Sequence, residues 1–283
     1  MKKLFLFVAA AALLAGCEKE AGKPAEPADG LRITFVLNGD FNSPTFTRAL
    51  TADGYDMTDV WVFDYSGGEL IQHIHQTNDE SDFGTPSLTL ANGEHNLCFV
   101  ASRGDSPALN METRTITWSK PKDTFWGDYD INVEQGTAGA VTVTLNRVAT
   151  KLKLTINDEI PSGLSQLTAT PATWYNGLNY WIGEPAGLVT SQPRTVSVPE
   201  SYIGTTGQLV FSIFGMSASA EWQTDIAVTA TDASGNELGR ATIADAPFMA
   251  NRQTAYSGRL FSQDGAFSLT LNDTWQTDYE AEW

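Results

Sequence analysis

The chain has 283 residues, with 34 acidic against 17 basic side chains and a formal charge of −17. That balance, with no basic patch, excludes binding to a nucleic-acid backbone by counterion release. Only two cysteines occur, Cys17 and Cys98, too few for the disulfide framework of a small secreted scaffold.

The first elements are an address. Lys2 and Lys3 are followed by an apolar run from Leu4 to Leu14, the length of a signal-peptide core and too short for a spanning helix. Leu14-Ala15-Gly16-Cys17 then resembles a bacterial lipobox. The resemblance implies residues 1–17 as a lipoprotein signal, a thioether-linked diacylglyceryl group on Cys17, cleavage before it and acylation, such as palmitate, of the new amine. Several chains anchor firmly, since each buried methylene adds about 0.8 kcal/mol. Residues 18–30 are rich in Glu, Pro, Ala and Gly without apolar periodicity and read as a flexible tether.

From here apolar residues alternate with period two or run in short β-branched stretches. Expected strands are 32–37, stopped by Asn38-Gly39; 59–64 and 69–74, a hairpin around Ser66-Gly67-Gly68; 87–90; 97–101; 140–145; and 151–156. Further strands are expected at 195–198, 209–214, 225–230, 255–260 and 267–271. Short helical turns are expected near 108–113 and 164–167. The density of short strands and Gly, Asn and Asp turns predicts an all-β chain of antiparallel β-sandwich architecture. The roughly 250 residues after the tether fit two domains, taken as 31–147 and 148–283.

Chemistry was sought next. His73 and His75, two apart on a strand, share one face and are a potential metal-ligand pair near Asp79, Glu80 and Asp82, or a solvated strand face. No third ligand is marked, so no metal is expected. There is no nucleophile elbow, Cys–His pairing or phosphate-binding Gly-rich loop, so neither catalysis nor a cofactor is expected. Cys98, within Asn96-Leu97-Cys98-Phe99-Val100, reads as a small core hydrophobe. Trp174, Tyr175, Tyr180 and Trp181 gather around Asn176-Gly177-Leu178-Asn179. They are candidate glycan contacts, because ring faces stack on sugars, or they fill a core.

The order of segments is similar to the fimbrillin superfamily of Bacteroidetes. The likeness rests on the lipobox, the strand Ile33–Leu37 and the loop Thr47-Arg48-Ala49. It continues through Val60-Trp61-Val62-Phe63, Leu97–Ser102, Leu145-Asn146-Arg147-Val148-Ala149-Thr150-Lys151-Leu152, Asn251-Arg252-Gln253-Thr254-Ala255-Tyr256 and a Trp-rich tail. The resemblance implies two β-sandwich domains of transthyretin-like shape and a lipid-borne passage to the outer membrane and cell surface. It also implies assembly into fimbriae by strand donation. Carried over, Arg48 is the candidate cleavage residue, Ala49 the new N-terminus and Ile33–Leu37 the removable strand. Phe267, Leu269, Leu271 and Trp275 belong to the candidate donor strand; the alternative is an edge strand that completes its own domain. The implied function is a structural subunit of a cell-surface fimbria, stalk, tip or anchor, mediating adhesion. Its partners would be other subunits by strand exchange, the outer membrane, and a host protein or glycan. The alternative is a surface lipoprotein that binds glycans through its aromatics and does not assemble.

Overall fold

A computed structural model describes residues 30–39, 57–262, 267–272 and 281–282. The first strands are β1 (Leu31–Gly39), β2 (Asp59–Ser66), β3 (Glu69–Thr77), β4 (Ser87–Leu90), β5 (Gly93–Ser102), β6 (Ala108–Asn110), β7 (Thr115–Thr117), β8 (Thr124–Val133) and β9 (Ala140–Arg147). Then come β10 (Ala149–Ile156), β11 (Leu164–Pro171), β12 (Thr173–Asn179), β13 (Glu184–Thr190), β14 (Arg194–Ser197), β15 (Leu209–Met216), β16 (Trp222–Asp232) and β17 (Glu237–Phe248). The last are β18 (Gln253–Gly258), β19 (Phe267–Asn272) and β20 (Ala281–Glu282).

The protein is all β. A single 3-10 turn, Glu200–Tyr202, is the only helical element among the described residues. Within the segments expected to form helical turns, residues 108–110 and 164–167 are strand instead, because neighbours complete their hydrogen bonds, and residues 111–113 form a turn. Residues 108–110 pair with β7 and residues 164–167 with β16. Such short apolar runs carry no period that separates helix from strand.

Seven strands form the first sheet, in the order β3-β2-β5-β8-β9-β1-β4. Its two outermost strands are tied, since Gln72 Nε2 on β3 donates to the Thr89 carbonyl on β4 at 2.9 Å. Alternation sends Ile33, Phe35 and Leu37 of β1, Val60 and Val62 of β2, Leu97 and Phe99 of β5, and Val143 and Leu145 of β9 into one core. Burial of each such side chain stabilises by about 1.5–3 kcal/mol before chain entropy is set against it.

The second half builds two sheets, β19-β18-β10-β15-β20 and β14-β11-β16-β17. Leu152, Leu154, Phe211 and Ile213 of the first meet Leu167, Ile226 and Val228 of the second in their own core.

A fourth sheet, β13-β12-β7-β6, draws strands from both sides of residue 147. It covers the outer face of β2 and β5, creating a third core of Trp61, Phe63, Tyr65, Cys98, Val100, Ile116, Trp118, Leu178 and Tyr180. This explains β2, in which every residue from Asp59 to Tyr65 is buried. Its even apolar positions face one core and its odd aromatics the other, as in a strand covered on both sides. Gly177 permits the cover to close, because a Cβ there would stand 2.7 Å from the Ile116 carbonyl oxygen of β7.

The junction between β9 and β10 is clamped by Arg147. Its Nε and Nη2 donate to the two Asp123 carboxylate oxygens at 2.8 and 3.0 Å, and Nη1 donates to Asn251 Oδ1 at 3.0 Å.

Candidate strand-exchange site

β1 precedes every other strand among the described residues, yet it lies inside the sheet. It pairs parallel with β9, from Thr34 opposite Ala140 to Gly39 opposite Leu145, and antiparallel with β4, from Leu31 opposite Leu90 to Thr34 opposite Ser87. The Phe35 and Leu37 amides donate to the Pro86 and Gly84 carbonyls at 2.8 and 3.3 Å. Ile33, Phe35 and Leu37 are wholly buried. Neither lateral partner is joined to β1 by a hairpin, because β9 follows β8 and β4 leads into β5. β1 could therefore leave without cutting any other connection. An apolar trough between two unpaired strand edges would remain.

The tail lies on the other half. Residues 267–272 pair antiparallel with β18, from Phe267 opposite Gly258 to Asn272 opposite Gln253, placing Leu269 and Leu271 opposite Tyr256 and Thr254. Ala281 and Glu282 pair with Phe211 and Ser212 on the far edge of the same sheet. The tail thus completes both edges of its own sheet. Cys17, Arg48, Ala49 and Trp275 lie outside the described residues.

The four candidate glycan rings divide. Trp174 is buried at 1 % exposure and its Nε1 donates to the Phe214 carbonyl at 2.8 Å. Gly215 makes room for it, since a Cβ there would lie 2.4 Å from that nitrogen. Tyr180 is wholly buried, stacked on Phe63 at 3.7 Å between centroids, and its hydroxyl meets that of Tyr65 at 3.2 Å. Burial, then the Tyr65 contact, raises the Tyr180 phenol above its ordinary range. Neither ring offers a face to a dissolved ligand. Tyr175 and Trp181 are half-buried; Tyr175 meets Trp222 edge-on at 5.5 Å, and Trp181 meets Tyr65 at 4.5 Å.

The histidines are held structurally. His73 and His75 share a face of β3, stacked over Phe63 at 6.1 Å and Trp61 at 4.6 Å. His75 Nε2 meets Asp59 Oδ1 at 2.7 Å. Burial, then His75, lowers the His73 pKa. Buried His95 faces Asp64 Oδ1 through Nδ1 at 2.7 Å and the Ala91 carbonyl through Nε2 at 3.0 Å, so neither nitrogen is left for a substrate. Among the described residues no three His, Cys, Asp or Glu side chains gather to hold a metal ion. Cys98 is buried beneath Trp181, its Sγ 3.8 Å from that residue's carbonyl. Burial first, then Asp128 and Asp130, pushes its thiol up to about 12.

The class to which this all-β chain belongs is that of fimbria-associated proteins. The chain is a member of the family of fimbrillin-A associated anchor proteins Mfa1 and Mfa2, whose sequence model matches residues 19–237. No curated protein matches it. Among solved structures it is similar to a candidate adhesin from Bacteroides ovatus, with 12 % identity and TM-score 0.52 over 87 % of this chain and 95 % of that one. A candidate polysaccharide binding protein from Bacteroides thetaiotaomicron shares 10 % identity and TM-score 0.52, over 86 % and 96 %. A candidate cell adhesion protein from Bacteroides uniformis shares 13 % and TM-score 0.51, over 86 % and 98 %. At these identities the likeness is one of fold.

Proposed function

We propose that this protein is a structural subunit of a cell-surface fimbria that assembles by β-strand donation and mediates adhesion. The observation that carries the reading is the seat of β1, the first strand among the described residues, held between β4 and β9 with Ile33, Phe35 and Leu37 wholly buried. The lipid on Cys17 and the tether 18–30 precede β1 directly. One cut after Arg48 therefore releases membrane anchor and strand together, leaving a chain that starts at Ala49 with its trough open. Uncut, the same chain is a lipid-held anchor in the outer membrane, in keeping with the anchor family to which it belongs. The strand offered to a neighbour is the tail carrying Phe267, Leu269, Leu271 and Trp275, which leaves the edge of its own sheet, where it pairs with β18, to be donated. A donated strand restores the missing ladder and fills the trough with alternate side chains.

The test uses the purified full chain, nicked by trypsin after Arg48, with a labelled peptide of residues 267–283. The nicked protein should lose residues 31–39 and incorporate the peptide or polymerise, while an Arg48→Ala chain does neither. A nicked chain that keeps residues 31–39 and binds no peptide would contradict the proposal. The alternative, glycan retention through Trp174, Tyr175, Tyr180 and Trp181 without assembly, is disfavoured because two of those four rings are buried.

A further inference from the structure

The outer face of the first sheet carries three cross-strand rows. Trp61, Val100 and Trp126 form one, Phe63, Cys98 and Asp128 the next, and Tyr65, Asn96 and Asp130 the last. The fourth sheet covers the first row, and the turn after β12 lays Tyr180 over Phe63 and Trp181 against Tyr65. There the cover ends. The rows emerge into a cleft of about 250 Å³ lined by Asn96, Leu97, Cys98, Asp128, Asp130 and Trp181. Pockets for drug-sized ligands run to about 300–1,000 Å³, so this one has room for a single small ring.

The walls are built before any ligand arrives. The Trp181 amide donates to Asn179 Oδ1 at 3.0 Å, and its ring is braced by Tyr65 and by the Arg114 guanidinium, 4.7 Å away. Asn96 Nδ2 donates to Asp130 Oδ1 at 2.7 Å and fixes that carboxylate. Asp128 is exposed, and its carboxylate has no hydrogen bond or ion pair among the described residues. A rigid site loses less entropy on binding.

We infer that this cleft binds a neutral sugar ring, with Asp128, Asp130 and the Asn96 carbonyl accepting from vicinal hydroxyls and Trp181 supplying the apolar wall. Carboxylates accept strong hydrogen bonds from O–H donors. An indole packs against the C–H face of a pyranose as against other apolar surface. Two carboxylates repel an acidic sugar. The site is distinct from the β1 trough: it needs neither the cut after Arg48 nor a donated strand, so either reading can fail while the other stands.

The test is a titration of the full chain with methyl α-D-mannopyranoside and methyl β-D-glucopyranoside, followed by ¹H–¹⁵N NMR. Methyl β-D-glucuronide and Nα-acetyl-lysine amide serve as the acidic and cationic probes. A neutral glycoside should shift the Asn96 side-chain amide and the Trp181 indole N–H, and Asp128→Asn should weaken binding by about tenfold or more. Trp181→Ala should abolish it. Because that change also thins the third core, Asp128→Asn, at an exposed side chain, is the deciding variant. No shift with either neutral glycoside, shifts that ignore Asp128→Asn, or tighter binding of the glucuronide or the lysine amide would each overturn the inference.

Discussion

Phe63 on β2 and Tyr180 at the end of β12 stack with ring centroids 3.7 Å apart and planes 7° from parallel. The contact joins the first sheet to a hairpin from the second half of the chain. It is flanked by the Tyr65–Tyr180 hydroxyl contact and by Trp126 Nε1, which donates to the Tyr180 carbonyl at 2.8 Å. The third core is therefore what holds the fourth sheet down. Tyr180→Ala should destabilise the protein by about 3–5 kcal/mol, the usual cost of emptying a large aromatic site. Tyr180→Phe, which keeps the stack, should cost about 1 kcal/mol. Urea unfolding of the two variants checks the contrast, and equal losses would mean that the stack contributes little.

The Arg147 clamp gives a second prediction. Arg147 is paired bidentately with Asp123, and both side chains are almost fully buried. Breaking such a pair leaves one uncompensated charge and costs about 3–5 kcal/mol. Asp123→Asn and Arg147→Met should each lose that much in denaturant midpoints, and the double variant should lose less than the sum.

His95 and Asp64 form another buried pair, extended by Gln72 Nε2, which donates to Asp64 Oδ2 at 3.0 Å and bridges to the Thr89 carbonyl. The network ties β2, β3, β4 and β5 together. Asp64→Ala, which leaves His95 Nδ1 and Gln72 Nε2 without this acceptor, should cost about 1–3 kcal/mol and speed amide hydrogen exchange in β3 and β4 before the rest of the first sheet. Uniform acceleration across the molecule would contradict this local role.

Cys98 makes a prediction with a definite sign in pH. Burial, with Asp128 and Asp130 adding to it, raises the thiol from 9.0 to about 12 in the folded chain. The folded state then keeps a proton that the unfolded state releases. Stability from this source is complete below about pH 9 and falls as pH climbs toward 12. At pH 8 the native thiol should resist a disulfide reagent and react fully in urea. Rapid modification of the folded protein would contradict the burial argument.

The strands were legible where one face is wet. β9 alternates cleanly between buried and exposed residues, and β5 ends in an apolar run after a turn at Asn92-Gly93. β2 was found as a strand, but its cover on both faces was not readable, because Trp61, Phe63 and Tyr65 need a partner sheet assembled from β6, β7, β12 and β13. β6 and β7 have three residues each, too few to show a period. β12 alternates, with Trp174, Asn176 and Leu178 buried, but that one face is shared between two cores, since Trp174 enters the core of the second half and Leu178 the third core. For the same reason the aromatic run 174–181 read as a ligand platform: rings that stack on a sugar and rings that fill a core are the same residues, and only burial tells Trp174 and Tyr180 from Trp181. The seat of β1 was hidden too. Its parallel pairing with β9 joins residues about a hundred positions apart in the chain, and no local signal encodes such a contact.

β1 itself supports a stability prediction. Phe35 is wholly buried and meets Phe99 at 5.3 Å between centroids. Phe35→Ala should cost about 3–5 kcal/mol and, on the strand-exchange account, hasten release of residues 31–39 after a cut at Arg48. Release rates unchanged by Phe35→Ala would show that the strand is held by something other than its apolar face.

The most direct measurement is intact-mass and N-terminal analysis of the native protein, with chains retained in the membrane separated from chains incorporated along assembled fibres. The account predicts that membrane-retained chains begin at acylated Cys17 and that fibre-incorporated chains begin at Ala49, with residues 31–39 gone. Fibre-incorporated chains that still begin at Cys17 would mean that β1 never leaves its seat, and would contradict assembly by strand donation into this subunit.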